Sequence, residues 1–344
     1  MLIPFALSPN IFNFEGLEQA EMEELLLQLN LLKMLIRTKG VVLIDSLGFL
    51  KNEIDGFIED IPNQNIKRRT MEIFTDLAKN SFVEINTKEL ELEMEQYCRH
   101  FFSLLQQVPD IFAIYGNKNC TNFDCTTCHS NMHIEKRTNL YYIMQINEEI
   151  MKRLVRSSII SINDYPLEDF KNEILKNLIL YSKELYIFDN QMIPDIKEQN
   201  LEETAFDIKS NYKINLEYWM AYINEINPNL QVYLYLSVKL NQIKIKNEIK
   251  NKFIDFKKKL QKQIPSLNLK FRIIEESKEQ GNIIITPHQR YFISDKIALS
   301  CDRGIDLLDR NHKLRDFNIS LVNPKDKVMI KNYLEINSVL VNEK

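Results

Sequence analysis

The segment ITPHQRYFISD, residues 285–295, sets an imidazole two positions before a guanidinium in a chain with only five histidines. Alternate residues of a β-strand share a face, so a strand through this segment would project His288 and Arg290 together from one sheet surface. A nucleophile or base beside a fixed cation suits chemistry at a phosphate, because attack builds negative charge on oxygens that the cation can hold. Asp302, Arg303, Asp306 and Asp309 follow on SCDRGIDLLDR, residues 300–310, where they could line the same cleft or begin a solvated helix.

Two further groupings carry metal-type chemistry. CTNFDCTTCHSNMH spaces Cys120, Cys125 and Cys128 ahead of His129 and His133. Thiolates and imidazoles suit tetrahedral zinc, and a C-x2-C pair chelates one ion from a tight turn. With Cys98 or His100 nearby, Cys120, Cys125, Cys128 and His133 would make a closed structural zinc site. Reduced, partly buried thiols are the other reading of the same residues. In VVLIDSLGFLKNEID a buried strand ends at Asp45, with Glu53 and Asp55 downstream. Such an aspartate either holds a divalent metal or caps the next helix.

The elements that must position these groups are legible as periodicities. Helical spacing runs through EGLEQAEMEELLLQLNLLKMLIRT, 65–80, 87–108 and 146–157, with short strands at 41–45, 82–86 and 112–116. A boundary near SIISINDYP, residues 158–166, where Asp164 would cap a helix with Pro166 in its first turn, divides the chain into domains 1–163 and 164–344. The second domain reads as helix 167–183, strand 184–189, helix 212–227, strand 230–238, helix 244–264 and strand 269–276. Strands at 282–286, 289–294 and 296–300 then follow. This alternation predicts an α/β fold with a mixed, largely parallel sheet finished by an antiparallel hairpin. The first domain is predicted as a mixed α/β unit that carries the cysteine cluster.

His288, Arg290 and Asp295 form H-x-R-x4-D, which resembles the phospholipase D superfamily signature H-x-K-x4-D with arginine in place of lysine. The element order over 184–300 is similar to that family's half-domain, an α/β sandwich. The resemblance implies a phosphodiesterase that needs no metal for catalysis. His288 would attack phosphorus to form a phosphohistidine or serve as the acid/base partner of a second histidine, Arg290 would clamp the phosphate oxygens, and Asp295 would fix the hairpin turn. Arginine keeps the charge but presents a bidentate fork. Such a site uses two histidines, and His100, His129, His133 and His312 all lack a cation two residues on. The resemblance therefore implies a homodimer, a divergent second half-site supplied by the N-terminal half or by a partner protein, or a decayed, non-catalytic phosphate-binding module. Chains with one such signature beside an unrelated domain suggest a setting in bacterial antiviral defence. Residues 41–55 are faintly similar to the opening of PIN-type nucleases, which makes a metal-dependent nuclease centred on Asp45 the rival reading.

Composition bounds the rest. At 344 residues, 44% hydrophobic and 27% charged, the chain has the make-up of a globular protein of two domains. No apolar run is long enough to span a bilayer and the N-terminus lacks signal features, so a cytoplasmic protein without a membrane partner is expected. Seven glycines leave no glycine-rich phosphate loop. A net charge of −4 gives no general attraction to nucleic acid. The exception is residues 244–270, where nine lysines stand against Glu248 and Asp255. With Ile245, Ile249, Phe253, Phe256 and Leu260 buried, Lys250, Lys257 and Lys258 face outward, as a solvated surface or as a track for a nucleic-acid backbone.

Overall fold

The computed structural model describes residues 3–38, 41–46, 48–80, 82–85, 96–108, 111–115, 140–145, 159–193, 207–279 and 282–341. Two compact units separate at Leu2–Arg156 and Ser157–Lys344.

The N-terminal unit runs β1 (Ile3–Leu7), α1 (Gln19–Thr38), β2 (Val41–Ser46), α2 (Phe49–Glu59), α3 (Gln64–Asn80), β3 (Phe82–Ile85), α4 (Gln96–Gln107), β4 (Phe112–Tyr115) and β5 (Leu140–Tyr142). Its five strands are parallel throughout, in the order β3-β2-β1-β4-β5. A parallel sheet is covered on both faces, and every residue of β2 is buried accordingly. Leu25, Leu26, Leu29 and Leu32 of α1 follow helical spacing into the core that Phe5, Leu7 and Leu43 share.

The C-terminal unit runs β6 (Ile159–Ile162), α5 (167–180, with a π turn at Lys171–Leu175), β7 (Glu184–Asp189), α6 (Ser210–Ile226), β8 (Gln231–Val238), α7 (Lys246–Gln263) and β9 (Leu269–Glu275). The short pair β10 (Ser277–Glu279) and β11 (Asn282–Ile284) comes next. The chain closes with β12 (Arg290–Ser294), β13 (Ala298–Cys301), β14 (Phe317–Leu321), α8 (Pro324–Ile336) and β15 (Ser338–Leu340). Eight strands form one mixed sheet, β15-β9-β8-β7-β12-β13-β14-β6.

Three sequence expectations are corrected here. The sheet is not largely parallel: only β7·β8 and β8·β9 run parallel, and the other five pairings are antiparallel. Residues 159–162, read as part of the domain boundary, form an edge strand, because β14 offers them a hydrogen-bonding partner. Asp164 does not cap α5. It takes a positive φ of 50° and leaves Pro166 as the cap residue, with no side-chain cap bond.

Alternation along the strands assigns the two faces. Phe271 of β9 meets Phe253 of α7 at 5.4 Å on one side. On the other, Tyr186, Phe188, Tyr235 and Ile274 pack with Leu334 of α8. The consequence for function is positional: the parallel trio β7–β8–β9 presents its carboxyl ends together, the edge at which open α/β sheets bind ligands.

Candidate functional site

At that edge β7 ends in Asp189, which is 1% exposed. One position beyond the Phe188–Tyr291 pair of the antiparallel β7·β12 ladder, Arg290 opens β12. Its Nε lies 3.5 Å from Asp189 Oδ1, and its Nη1 donates to the Asp302 carbonyl. The Asp189 carboxylate also accepts from the backbone N–H of Gln191 (2.8 Å) and Ile305 (3.0 Å). Burial pushes its carboxyl up to about 6, against the opposing pull of those bonds and of Arg290.

Above this pair lies an open cleft of about 440 Å³. Three cations line it, Arg290, Arg303 and Lys209. Arg303 commits its Nε to the Asp316 carbonyl (2.7 Å), and Lys209 Nζ donates to the Gln191 carbonyl (2.8 Å). A guanidinium has five N–H donors, so both arginines retain donors for a ligand. Three acids also line the cleft, but each is tied to its own scaffold. Asp302 accepts from the backbone and side chain of Asn318, and Asp316 from the Asp164 N–H. Asp306 stands 3.7 Å from Arg315 Nε and accepts from Asn215.

Asn211 and Tyr212 add the first turn of α6 to the same wall. No side chain caps that helix and no acid occupies its first turn, so its positive end borders the cleft uncompensated. Oxyanions bind at such ends.

The wall is held by Asn215, 1% exposed. Its Nδ2 donates to the Leu308 carbonyl (3.1 Å), and its Oδ1 accepts from Leu308 N–H (2.8 Å) and Trp219 Nε1 (3.3 Å). Asn215→Ala strands the Leu308 N–H and Trp219 Nε1, while the Leu308 carbonyl keeps Arg315 Nε (3.0 Å), and an unpaired buried polar group costs about 1–3 kcal/mol. We expect a total loss of about 3 kcal/mol in urea unfolding followed by fluorescence of Trp219, the chain's single tryptophan. A loss under about 0.5 kcal/mol would mean that water replaces the bonds.

His288 departs from its expected placement. β12 begins only at Arg290, so His288 sits in the bend before it, exposed, and is not among the residues lining the cleft. The shared strand face is thus corrected to a loop beside a strand start, because Pro287 has no N–H with which to extend the ladder. That loop is pinned, however. Tyr333 Oη donates to the Ile285 carbonyl (2.7 Å) and Thr286 Oγ1 to Glu276 (2.5 Å). Ser237 Oγ donates to Thr286 Oγ1 (3.1 Å), and Asn190 Nδ2 to the Pro287 carbonyl (2.9 Å). These bonds fasten the loop to the carboxyl ends of β7, β8 and β9.

Asp295 lies at the far end of β12, in the turn to β13, where it accepts from Lys183 N–H (2.9 Å) and pairs with Lys296 (3.5 Å). Ser294 Oγ closes the turn itself, accepting from Lys296 N–H (3.0 Å) and Ile297 N–H (3.1 Å), while the Asp295 carboxylate ties it to the residue before β7. Asp302, Arg303 and Asp306 reach the cleft as the sequence allowed. Asp309 instead closes its own turn, accepting from Asn311 and Lys313 N–H. Asp189, Lys209, Tyr212 and Asn215 were not picked out from the sequence. The available signal for Asp189 was an acid closing an apolar strand.

Elsewhere, Asp45 accepts from the N–H of Leu50 (2.7 Å) and Lys51 (3.2 Å), so it caps α2. Burial pushes its carboxyl up to about 6. Beside it Ser46 Oγ meets His100 Nδ1 at 3.2 Å, and His100 stacks on Phe49. Cys120, Cys125, Cys128, His129 and His133 lie outside the described residues. Among the described residues no group of three or more His, Cys, Asp or Glu is placed to hold a metal, and no helix is long and apolar enough to cross a membrane. On α7, Lys246 and Lys250 both pair with Glu275 and Lys259 pairs with Glu217, which offsets part of the helix charge. Lys257 is half-buried and Lys258 exposed.

No protein-family model matches the chain, and no curated protein matches its sequence.

Proposed function

We propose that the C-terminal unit binds phosphodiesters in the Arg290 cleft and hydrolyses them through His288, with a nucleic-acid strand as the substrate. The observation that carries this reading is the convergence of Arg290, Arg303, Lys209 and the uncapped start of α6 on one open cleft, beside a pinned histidine loop. Arginine forks and helix N–H groups match the equatorial oxygens of a phosphoryl group under attack.

The chemistry proceeds in two displacements. An imidazole nitrogen of His288 attacks phosphorus, the P–O bond to one ester oxygen breaks, and that alkoxide leaves with a proton from an acid. Water then attacks the phosphohistidine, giving its proton to the same group that protonated the alkoxide, and the phosphomonoester and the free imidazole are released with the acid restored. The acid is a second histidine, supplied by the His288 of a second chain or by a partner protein. Exposed Lys258 on α7 favours a polymeric substrate, whose binding weakens with salt.

The test is cleavage of a labelled oligonucleotide in the presence of chelator, with light scattering for the oligomeric state. Chelator-resistant cleavage is expected, together with binding weakened about tenfold to a hundredfold in Arg290→Ala, the worth of one charge-assisted bidentate contact. Chelator-sensitive cleavage would move the activity to Asp45. Salt-sensitive binding without cleavage would leave a phosphate-binding module, the reading favoured by His288 standing outside the cleft lining.

A further inference from the structure

The Arg290 guanidinium has one edge turned away from any ligand. Its Nε is buried and makes no hydrogen bond, yet stands 3.5 Å from the Asp189 carboxylate. Asp189 itself is sealed in. The backbone of Gly304, at φ +59°, passes so close that a Cβ there would run into both the Asp189 carboxylate and Arg290 Cδ. The charged and titratable groups facing Asp189 are Arg290 of β12, Cys301 of β13, Asp306 of the following loop and Tyr212 of α6, which Arg303 of that loop also faces. Arg290 is the cation in direct contact.

We propose that Asp189 is the positioning residue of the cleft: as a carboxylate it holds and neutralises Arg290 from beneath, and as a carboxylic acid it leaves the guanidinium to an oxyanion above. The proposal rests on the reading of the cleft as an oxyanion site, and it adds a control of that site by proton uptake. Two charges this close, one of them out of water, interact far more strongly than surface charges do. An oxyanion placed on the other side of Arg290 must compete for the same cation. Anion binding and protonation of Asp189 therefore favour each other, and by linkage each shifts the other equally. Burial already pushes the Asp189 carboxyl up to about 6, so the exchange falls where modest acidification drives it.

Sulfate is the probe, since it stays doubly charged over the range used. Histidine is the side-chain type whose charge ordinarily changes in this range, and it would mimic the effect. The full-length chain carrying His288→Gln and His312→Gln is therefore the parent. Its sulfate affinity should rise about tenfold from about pH 7.5 to about pH 5, the effect of roughly one unit of coupling. Asp189→Asn on that background should bind at the acid level throughout, with no pH dependence. In the parent, the Arg290 Nε–H nuclear resonance should move with a midpoint near 6 without any ligand, and in Asp189→Asn it should stay still.

A pH profile that persists in Asp189→Asn, or an Arg290 resonance indifferent to pH in the parent, overturns the proposal while the cleft reading stands. Absence of sulfate binding at every pH overturns both. Should Asp189→Asn fail to fold, the parent's affinity profile and resonance titration decide alone, and a flat result in either counts against the inference.

Discussion

Gly304→Ala should destabilise the C-terminal unit by about 2–5 kcal/mol. Two costs add. At φ +59° an L side chain sits in the left-handed region, which costs about 1–2 kcal/mol. The new methyl would also meet the Asp189 carboxylate and Arg290 Cδ, both held in place, and overpacking of that kind costs about 1–3 kcal/mol. The only escape is for the 302–306 loop to lift. That would break the Ile305 N–H bond to Asp189 and the Asp302 carbonyl bond to Arg290, and so dismantle the floor of the cleft. Unfolding followed by Trp219 fluorescence reads the loss in the unit concerned, because Trp219 lies on α6. Gly304→Asn separates the two costs. Asparagine tolerates the left-handed region, so it is expected to recover the part of the loss that comes from backbone strain and to keep the part that comes from contact with Asp189. Sulfate binding should be lost in both variants.

What could be read from the sequence follows from which interactions are local. The long helices were legible because their spacing repeats over several turns: Leu25, Leu26, Leu29 and Leu32 on α1, and Ile249, Phe253, Phe256 and Leu260 on α7, are all buried. β1 was not legible. IPFAL has five residues, one of them a proline that cannot donate to a ladder. Its place at the centre of the sheet comes from β2 and β4, which nothing local in IPFAL encodes. The same reason hid β6 and the antiparallel majority of the second sheet. Alternation of helices and strands over 184–276 correctly implied the parallel trio, and it said nothing of the strands laid against either side. The site divides along the same line. Arg290, Asp302, Arg303 and Asp306 fall within one short segment and could be proposed together. Asp189 meets Arg290 only across an antiparallel ladder, and Lys209 and Tyr212 arrive with the start of a helix whose direction is a tertiary fact. His288 was picked out by type and spacing, yet the strand begins at Arg290, one residue after its expected start, and leaves His288 in the bend that follows Pro287.

His288→Ala should lower phosphodiester cleavage by at least about a thousandfold while leaving folding and binding nearly unchanged. The dissociation of the two effects follows from its position. An exposed side chain outside the cleft lining contributes little to stability, within about 0.5 kcal/mol, and few contacts to a bound phosphate. A nucleophile, by contrast, is required in every turnover, and no other imidazole on this chain occupies that loop. The pinned backbone sharpens the comparison. Because Thr286, Asn190 and Tyr333 fix the loop through residues 285–287, removing the imidazole should not shift the loop, and a lost rate can be charged to chemistry. Mixing wild-type and His288→Ala chains then distinguishes the source of the second histidine. Where two copies each contribute one His288, mixed dimers are dead and activity falls as the square of the wild-type fraction. Where a partner protein supplies it, the fall is linear. Cleavage that survives His288→Ala at near wild-type rate would remove this residue from the mechanism and leave the cleft as a place where phosphate is held and not turned over.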